Sequence, residues 1–238
     1  SESEVVLTAA SGTAGGWKGI VFSDMTNDAW SALTYTRIEY GGEATNADVT
    51  CNSASPSFNN CTFKGSSDKG LVMNDNGSFV GGCSFADNAG VGLYGTTCAG
   101  AQVSANTATG NGGYPFSLHC NSAACMLSGN TASGNAVGDV IEVRGGDVTT
   151  SQTWSANPVP YLVTGDVAIR TLNWASSSNS AVKLTIGAGT TVRFDSGCGI
   201  VVGLNSNGYP YWGALECAGE SESEVVLTAA SGTAGGWK

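Results

Sequence analysis

At 238 residues, 41% of them hydrophobic, the chain has enough apolar side chains for a core, while 35 glycines and 12% charged residues argue against long amphipathic helices. A formal charge of −10, from 19 acidic against 9 basic residues with no basic cluster, makes nucleic acid and anionic membrane surfaces poor candidates for partners. No apolar run approaches the ~18 residues of a membrane-spanning helix, and no secretion signal opens the sequence, which reads as part of something longer.

The first element is itself a repeat. Ser1–Lys18, SESEVVLTAASGTAGGWK, recurs without a substitution as Ser221–Lys238, a spacing of 220 residues. Old duplications diverge, so the copy is recent, homogenised or engineered. A tandem array with a unit of 220 residues is the simplest account, and an engineered overlap of the ends is the alternative. In an array, the coil around Val225–Trp237 is expected to superpose on that around Val5–Trp17 by a screw along the axis, with open strand edges and no capping helix at either end.

After Lys18 come two interleaved families of short strands. Thr36–Gly42 (TRIEYGG), Asn60–Ser66 (NCTFKGS), Gly82–Asn88 (GCSFADN), Ala105–Asn111 (ANTATGN) and Gly129–Asn135 (GNTASGN) recur about every 23 residues. Matching Ile38 with Cys61, Cys83, Asn106 and Asn130 places Tyr40, Phe63, Phe85, Ala108 and Ala132 in a second column, two residues on, which is the strand period. Between them lie Gly19–Phe22, Ala47–Thr50, Gly70–Met73, Gly92–Tyr94, Pro115–Leu118 and Asp139–Val143. Ser23–Trp30 reads as a loop bulging from the coil. A period of this length in short strands punctuated by Gly, Asn and Ser predicts a β-solenoid in which like residues stack: Asn106 on Asn130 as an amide ladder, Phe63 on Phe85 as an aromatic one. At 220 residues the unit would hold nine or ten coils of about 23 residues, three strands to a coil.

The pattern loosens over 148–160, an irregular internal boundary, and strands resume over Tyr161–Ile169, Val182–Phe194, Gly199–Val202, Ala214–Cys217 and Val225–Thr228. The order LTIGAGTTVRF, GIVVG, GALECAGE, VVLTAA, GGWKGIVF and LTYTRIEYGG is similar to bacterial secreted and surface proteins with right-handed parallel β-helix repeats, relatives in fold of the pectate lyases. The resemblance implies an all-β, right-handed parallel β-helix over 1–238. It implies no activity, because that fold hosts lyases, hydrolases, adhesins and inert stalks.

Eight cysteines, Cys51, Cys61, Cys83, Cys98, Cys120, Cys125, Cys198 and Cys217, contain no Cys-x-x-Cys pair, and the single His119 completes no zinc-type ligand set. They read as disulfides of an oxidising compartment. Sequence-adjacent pairing gives Cys51–Cys61, Cys83–Cys98, Cys120–Cys125 and Cys198–Cys217; pairing between coils gives Cys61–Cys83 and Cys98–Cys120.

A polysaccharide-cleaving site would need paired carboxylates, or a carboxylate-bound cation with a basic residue, on one face. The best local set is Asp139, Glu142, Arg144 and Asp147 with His119, which reads as ordinary solvent-facing strand residues, so no catalytic residue is assigned. Asp24, Asn27 and Asp28, and Asn74, Asp75 and Asn76, have oxygen-rich side chains suited to Ca²⁺ but match no defined calcium loop and read as turn formers; no cofactor is expected. Tyr209, Tyr211 and Trp212, with Trp30, are the candidate glycan contacts, since sugar rings stack on exposed aromatics. The sequence therefore reads as a non-enzymatic structural unit of an extracellular or cell-surface fibre, stalk or adhesin. Its partners would be neighbouring copies joined end to end, with a cell-surface glycan as a further ligand. A secreted polysaccharide-binding or polysaccharide-cleaving β-helix is the alternative.

Overall fold

The computed structural model describes residues 3–74, 77–98 and 100–237. The chain coils as a parallel β-helix. Sheet A stacks Val5–Thr8, Thr36–Glu39, Thr62–Lys64, Ser84–Ala86, Thr107–Thr109 and Thr131–Ser133. Sheet B runs the whole length, through Ile20–Phe22, Ala47–Asn52, Lys69–Asn74, Leu93–Gly95, Phe116–His119, Ile141–Arg144, Tyr161–Val163, Thr191–Phe194 and Val226–Ala229. Sheet C holds Ala32–Thr34, Ser57–Asn59, Phe79–Gly81 and Gln102–Ser104. Every pairing within these sheets is parallel, and among the described residues the only helical segments are three short 3₁₀ turns.

The recurring seven-residue motif encodes sheet A and both of its corners. At each entry one residue takes the left-handed conformation: Tyr35, Asn60, Gly82, Ala105 and Gly129 have φ between 47° and 83°. At each exit Tyr40, Gly65, Asp87, Gly110 and Gly134 do the same. Such residues turn the chain sharply, which is why Gly and Asn dominate these places. The residue after each bend points into the helix and must satisfy backbone groups that no strand reaches. Asn106 does this by accepting from the Cys83 N–H at 2.8 Å and donating to the Val80 carbonyl and the Asn130 amide, both at 3.0 Å. Asn130 repeats the pattern one coil on. A second ladder, Asn88, Asn111 and Asn135, lines the exit corner and ends on the Asp139 carboxylate, which accepts from the Asn135 side chain at 2.8 Å. That bond, with the backbone N–H groups of Asn135 and Gly134, holds the Asp139 carboxyl below its usual range.

Between the corners, Phe63 and Phe85 stack face to face at 5.0 Å and continue into Ala108 and Ala132, all in one register. The first row of this column corrects the sequence reading by two residues. Ile38, not Tyr40, lies on Phe63, and Thr36 takes the corner place of Cys61. The alignment slipped because Tyr35 and Tyr40 hold left-handed positions where glycine or asparagine is the normal choice.

The 3₁₀ turn Cys120–Cys125 takes the place of a fifth strand of sheet C, with Met126 bridging to Val103. Sheet A ends after Thr131–Ser133, and Asn157 occupies its corner by accepting from both Asn130 nitrogens. Two new sheets then share the coil with sheet B. Sheet D is Gly146–Val148, Val167–Ile169 and Ile200–Val202; sheet E is Gln152–Trp154, Val182–Gly187 and Gly213–Ala218. The irregular 148–160 stretch is thus built into the helix, with fully buried Trp154 stacked on Tyr161 at 5.6 Å. An antiparallel hairpin, Leu204–Ser206 with Tyr209–Tyr211, projects between the last strands of sheets D and E.

The ladder predicts its own mutational signature. Asn106→Ala orphans the buried Cys83 N–H and Val80 C=O and should cost about 2–4 kcal/mol in chemical denaturation. Asn106→Cys should cost clearly less, because Cys83 already does this work one coil earlier, its sulfur accepting from Cys61 N–H at 3.4 Å.

Candidate functional site

The duplicated segment folds the same way twice. In the first copy Gly12 N–H donates to Ala9 O at 3.0 Å and Gly16 N–H to Thr13 O at 3.0 Å; in the second, Gly232 to Ala229 and Gly236 to Thr233 are each 3.1 Å. The Ser11–Thr13 hydroxyl contact of 2.9 Å recurs as Ser231–Thr233 at 2.8 Å. Gly12 and Gly232 have φ of 63° and 67°, Gly15 and Gly235 of 72° and 73°. What differs is the edge each copy uses. Val5–Thr8 opens sheet A and pairs with Thr36–Glu39; Val226–Ala229 closes sheet B and pairs with Thr191–Phe194. Trp17 donates its indole N–H to Glu39 O at 2.7 Å, whereas its counterpart Trp237 stacks on Phe194 at 4.6 Å. The screw relating the copies therefore includes a rotation by one sheet.

Both ends of the helix are open. Val5–Thr8, Ile20–Phe22 and Ala32–Thr34 are the outer strands at one end, Ile200–Val202, Gly213–Ala218 and Val226–Ala229 at the other, and among the described residues no helix covers either. Val5 is 53% exposed, Val21 49%, Val201 51% and Val202 45%, whereas Thr36, Thr50 and Ile169, the counterparts of Val5, Val21 and Val202 one strand inward, are buried. Such edges are templates for further pairing.

The outer face of sheet B carries the polar cluster. Ser117, 1% exposed, donates to Glu142 Oε2 at 2.5 Å and accepts from Arg144, which also bonds Gly95 O at 2.5 Å and lies over the Tyr94 ring at 4.1 Å. Thr164 Oγ1 donates to Glu142 Oε1 at 3.0 Å. His119 neighbours Arg144 in register and accepts from Asn121 N–H at 3.2 Å; burial first, and then the Arg144 charge, lower its pKa. Asp147 instead pairs with Arg170 at 2.8 Å, and Asp139 ends the amide ladder. The five residues grouped from the sequence thus divide: His119, Glu142 and Arg144 share the sheet B face, while Asp139 and Asp147 serve other partners.

The aromatic candidates also divide. Tyr209 packs against Trp174 at 5.6 Å, Trp212 donates to Ala175 O at 2.7 Å, and Tyr211 lines a cleft of about 210 Å³ with Asp147, Arg170 and Leu204. Trp30, 87% exposed, stands at the opposite end beside the first strand of sheet C. Of the oxygen-rich turns, Asp28 accepts from Ser55 N–H at 2.7 Å, and Asn74 bonds Asn52 and Thr96. Asp75 and Asn76 lie outside the described residues. Among the described residues no three His, Cys, Asp or Glu side chains gather as a cation site.

The family model for the right-handed β-helix region matches residues 12–154. The chain belongs to that family. No curated protein and no solved structure matches it. For a right-handed β-helix the family supplies the coil and leaves the activity open.

The cysteines correct the sequence reading. Cys51, Cys61, Cys83, Cys98, Cys120, Cys125 and Cys217 are free thiols, and Cys198 donates to Ser196 O at 4.0 Å. Cys51 is on sheet B and Cys61 at the entry to sheet A, while Cys120 and Cys125 stand at the two ends of one 3₁₀ turn. Cys61 and Cys83 are stacked neighbours that occupy ladder places as thiols. The neighbour of Cys98 is Cys125 at 3.8 Å, not Cys120, and its thiol donation lowers the Cys98 pKa. Burial pushes Cys51 and Cys120 up to about 12, which makes them poor nucleophiles. A thiol reagent should therefore modify exposed Cys217 in the native chain, and all seven thiols named above only in denaturant. Fewer in denaturant would restore the disulfide reading.

One buried carboxyl escaped sequence analysis. Asp48, fully buried on sheet B, accepts from Gly41 N–H at 2.7 Å, while its Oδ2 has no hydrogen-bond partner among the described residues. Burial pushes its pKa up to about 8, against the lowering effect of the Gly41 bond. The folded chain holds the proton and the unfolded chain releases it, so this stabilisation is complete below about pH 4 and is lost as pH rises to about 8. Asp48→Asn should flatten that loss in denaturation curves taken across this range, and raise stability at pH 8.

Proposed function

We propose that the chain is a structural unit of an extracellular or cell-surface fibre, stalk or adhesin that lengthens by end-to-end continuation of the β-helix. The observation that carries this reading is the duplicated segment, which keeps one conformation while using its upper edge in one copy and its lower edge in the other. A strand with partners on both sides is what each copy lacks. The role is mechanical and needs no catalytic residue or cofactor: continuous backbone pairing, amide ladders and a stacked core make a stiff rod. An extracellular placement rests on the length such a rod reaches and on its acidic, Ser- and Thr-rich composition, with charge repulsion keeping separate rods apart. A glycan is a secondary partner, with Tyr209, Tyr211 and Trp212 as contacts.

The alternative, a polysaccharide-binding or polysaccharide-cleaving β-helix, draws on the Glu142–Ser117–Arg144 cluster. It is weakened by the engagement of both Glu142 oxygens with hydroxyls.

The test joins the full chain, in frame from Lys238, to a second Gly19–Lys238 and compares the lengths of the two proteins by small-angle scattering. Eight strand steps of sheet B at ~4.8 Å predict a single straight rod longer by roughly 40 Å. Two independently tumbling bodies would contradict the fibre reading. Polysaccharide cleavage that vanishes in Glu142→Ala would replace it with the alternative.

A further inference from the structure

We propose that the junction between copies shifts every sheet by one place: sheet B of one copy runs into sheet A of the next, sheet D into sheet B, and sheet E into sheet C. The inference rests on the end-to-end reading and names the surface through which a second copy of this unit is held.

The shared strand fixes the first contact. Val226, Leu227, Thr228 and Ala229 are the same residues as Val6, Leu7, Thr8 and Ala9, so the two registers combine around one strand. Leu227 lies on Val192, and its equivalent Leu7 lies on Ile38, giving an inward column whose outer members are fully buried. Thr228 lies on Arg193 and Thr8 on Glu39, so opposite charges flank one threonine on the outside. The indole also fits both neighbours, stacking on Phe194 as Trp237 and donating to Glu39 O as Trp17. Each half of this environment is present in the single chain.

Chain order fixes the rest. Following the shared strand, the next strand of the incoming copy is Ile20–Phe22, and the next open edge beneath it is Ile200–Val202 in sheet D. Ala32–Thr34 then falls on Gly213–Ala218 in sheet E. Beside the shared strand, two open strands of the incoming copy thus meet two open strands of the first, setting Val21 beside Val201 and Phe22 over Val202.

An independent feature agrees. The loop 23–31 leaves the coil between Ile20–Phe22 and Ala32–Thr34; at the other end, the hairpin and the 170–181 loop leave it between sheets D and E. The shift brings these excursions to one corner. They carry the four most exposed large apolar side chains among the described residues, Met25 at 88% and Trp30 at 87% on one side and Leu172 at 74% and Trp174 at 54% on the other, with Tyr209 at 53% beside Trp174. Apolar surface of this kind, rimmed by polar residues, marks a contact with another protein surface. Continuation of sheet B onto sheet B would leave both groups in solvent, because no excursion leaves the coil between sheets B and D.

The experiment uses the full chain continued from Lys238 into a second Gly19–Lys238. Val201→Cys in the first copy with Val21→Cys in the second should form a disulfide under glutathione disulfide, two thiols exchanging for one bond as two glutathiones are released. Stacked strands bring these positions to about 4.8 Å, within disulfide reach. Thr228→Cys with Val21→Cys, which would stack only if sheet B continued onto sheet B, should stay reduced. Crosslinking of this second pair instead of the first would overturn the sheet shift and leave end-to-end growth standing. Crosslinking of neither, with the copies tumbling separately, would overturn both. As a check on folding, Trp30→Ala should leave the single chain's melting temperature unchanged while making the junction of the continued chain melt earlier; equal effects on both would count against the proposal.

Discussion

Parallel pairing along the helix axis is the constraint on which the rest depends. Each strand pairs with the coil before along one edge and with the coil after along the other, donating and accepting across both, so a residue's neighbours are its counterparts one turn away. Side chains with the same task then fall in columns. Where the backbone bends and leaves the sheet, the pairing lapses, and an inward amide or thiol at the bend must restore it. The two Asn ladders meet that need in a core where an unpaired N–H costs as much as several methylene contacts return. At each end of the coil stack the same constraint leaves donors, acceptors and apolar columns on offer.

Sheet A and sheet B between residues 60 and 143 were legible in the sequence because each motif couples a left-handed bend, a ladder residue and an alternating strand in seven residues. The Phe63–Phe85 stack and the Asn106–Asn130 bond follow directly from that spacing. Legibility failed where one of those signals was exchanged for another residue with the same geometry. Tyr35 and Tyr40 bend left-handed without glycine, and the first row was displaced by two residues. Cys61 and Cys83 stand where asparagine stands in the later coils, and a spacing that suggests cross-linking serves hydrogen bonding instead. Beyond residue 148 sheet A is gone, so the seven-residue motif has nothing to encode. Asp48 was hidden for a different reason: its strand is inaccessible along most of its length, so alternation does not tell which side a carboxyl faces.

The candidate site was partly legible. The duplication pointed to the ends, but its two copies were expected in equivalent surroundings, and only the topology reveals that they lie on different sheets. The aromatics Trp30 and Tyr209 were grouped by character; their separation to opposite ends follows from the coil path. This β-helix therefore leaves its open strand edges at its two ends, while Asp139, Glu142 and Asp147 along its side are each committed to a local partner.

Amide hydrogen exchange tests that claim most directly. Ile20–Phe22 and Ile200–Val202 should exchange rapidly in the single chain. In a chain of two consecutive copies, Ile200–Val202 of the first and Ile20–Phe22 of the second should become as protected as Leu93–Gly95 in the middle of sheet B. Unchanged rapid exchange at those strands in the longer chain would contradict it.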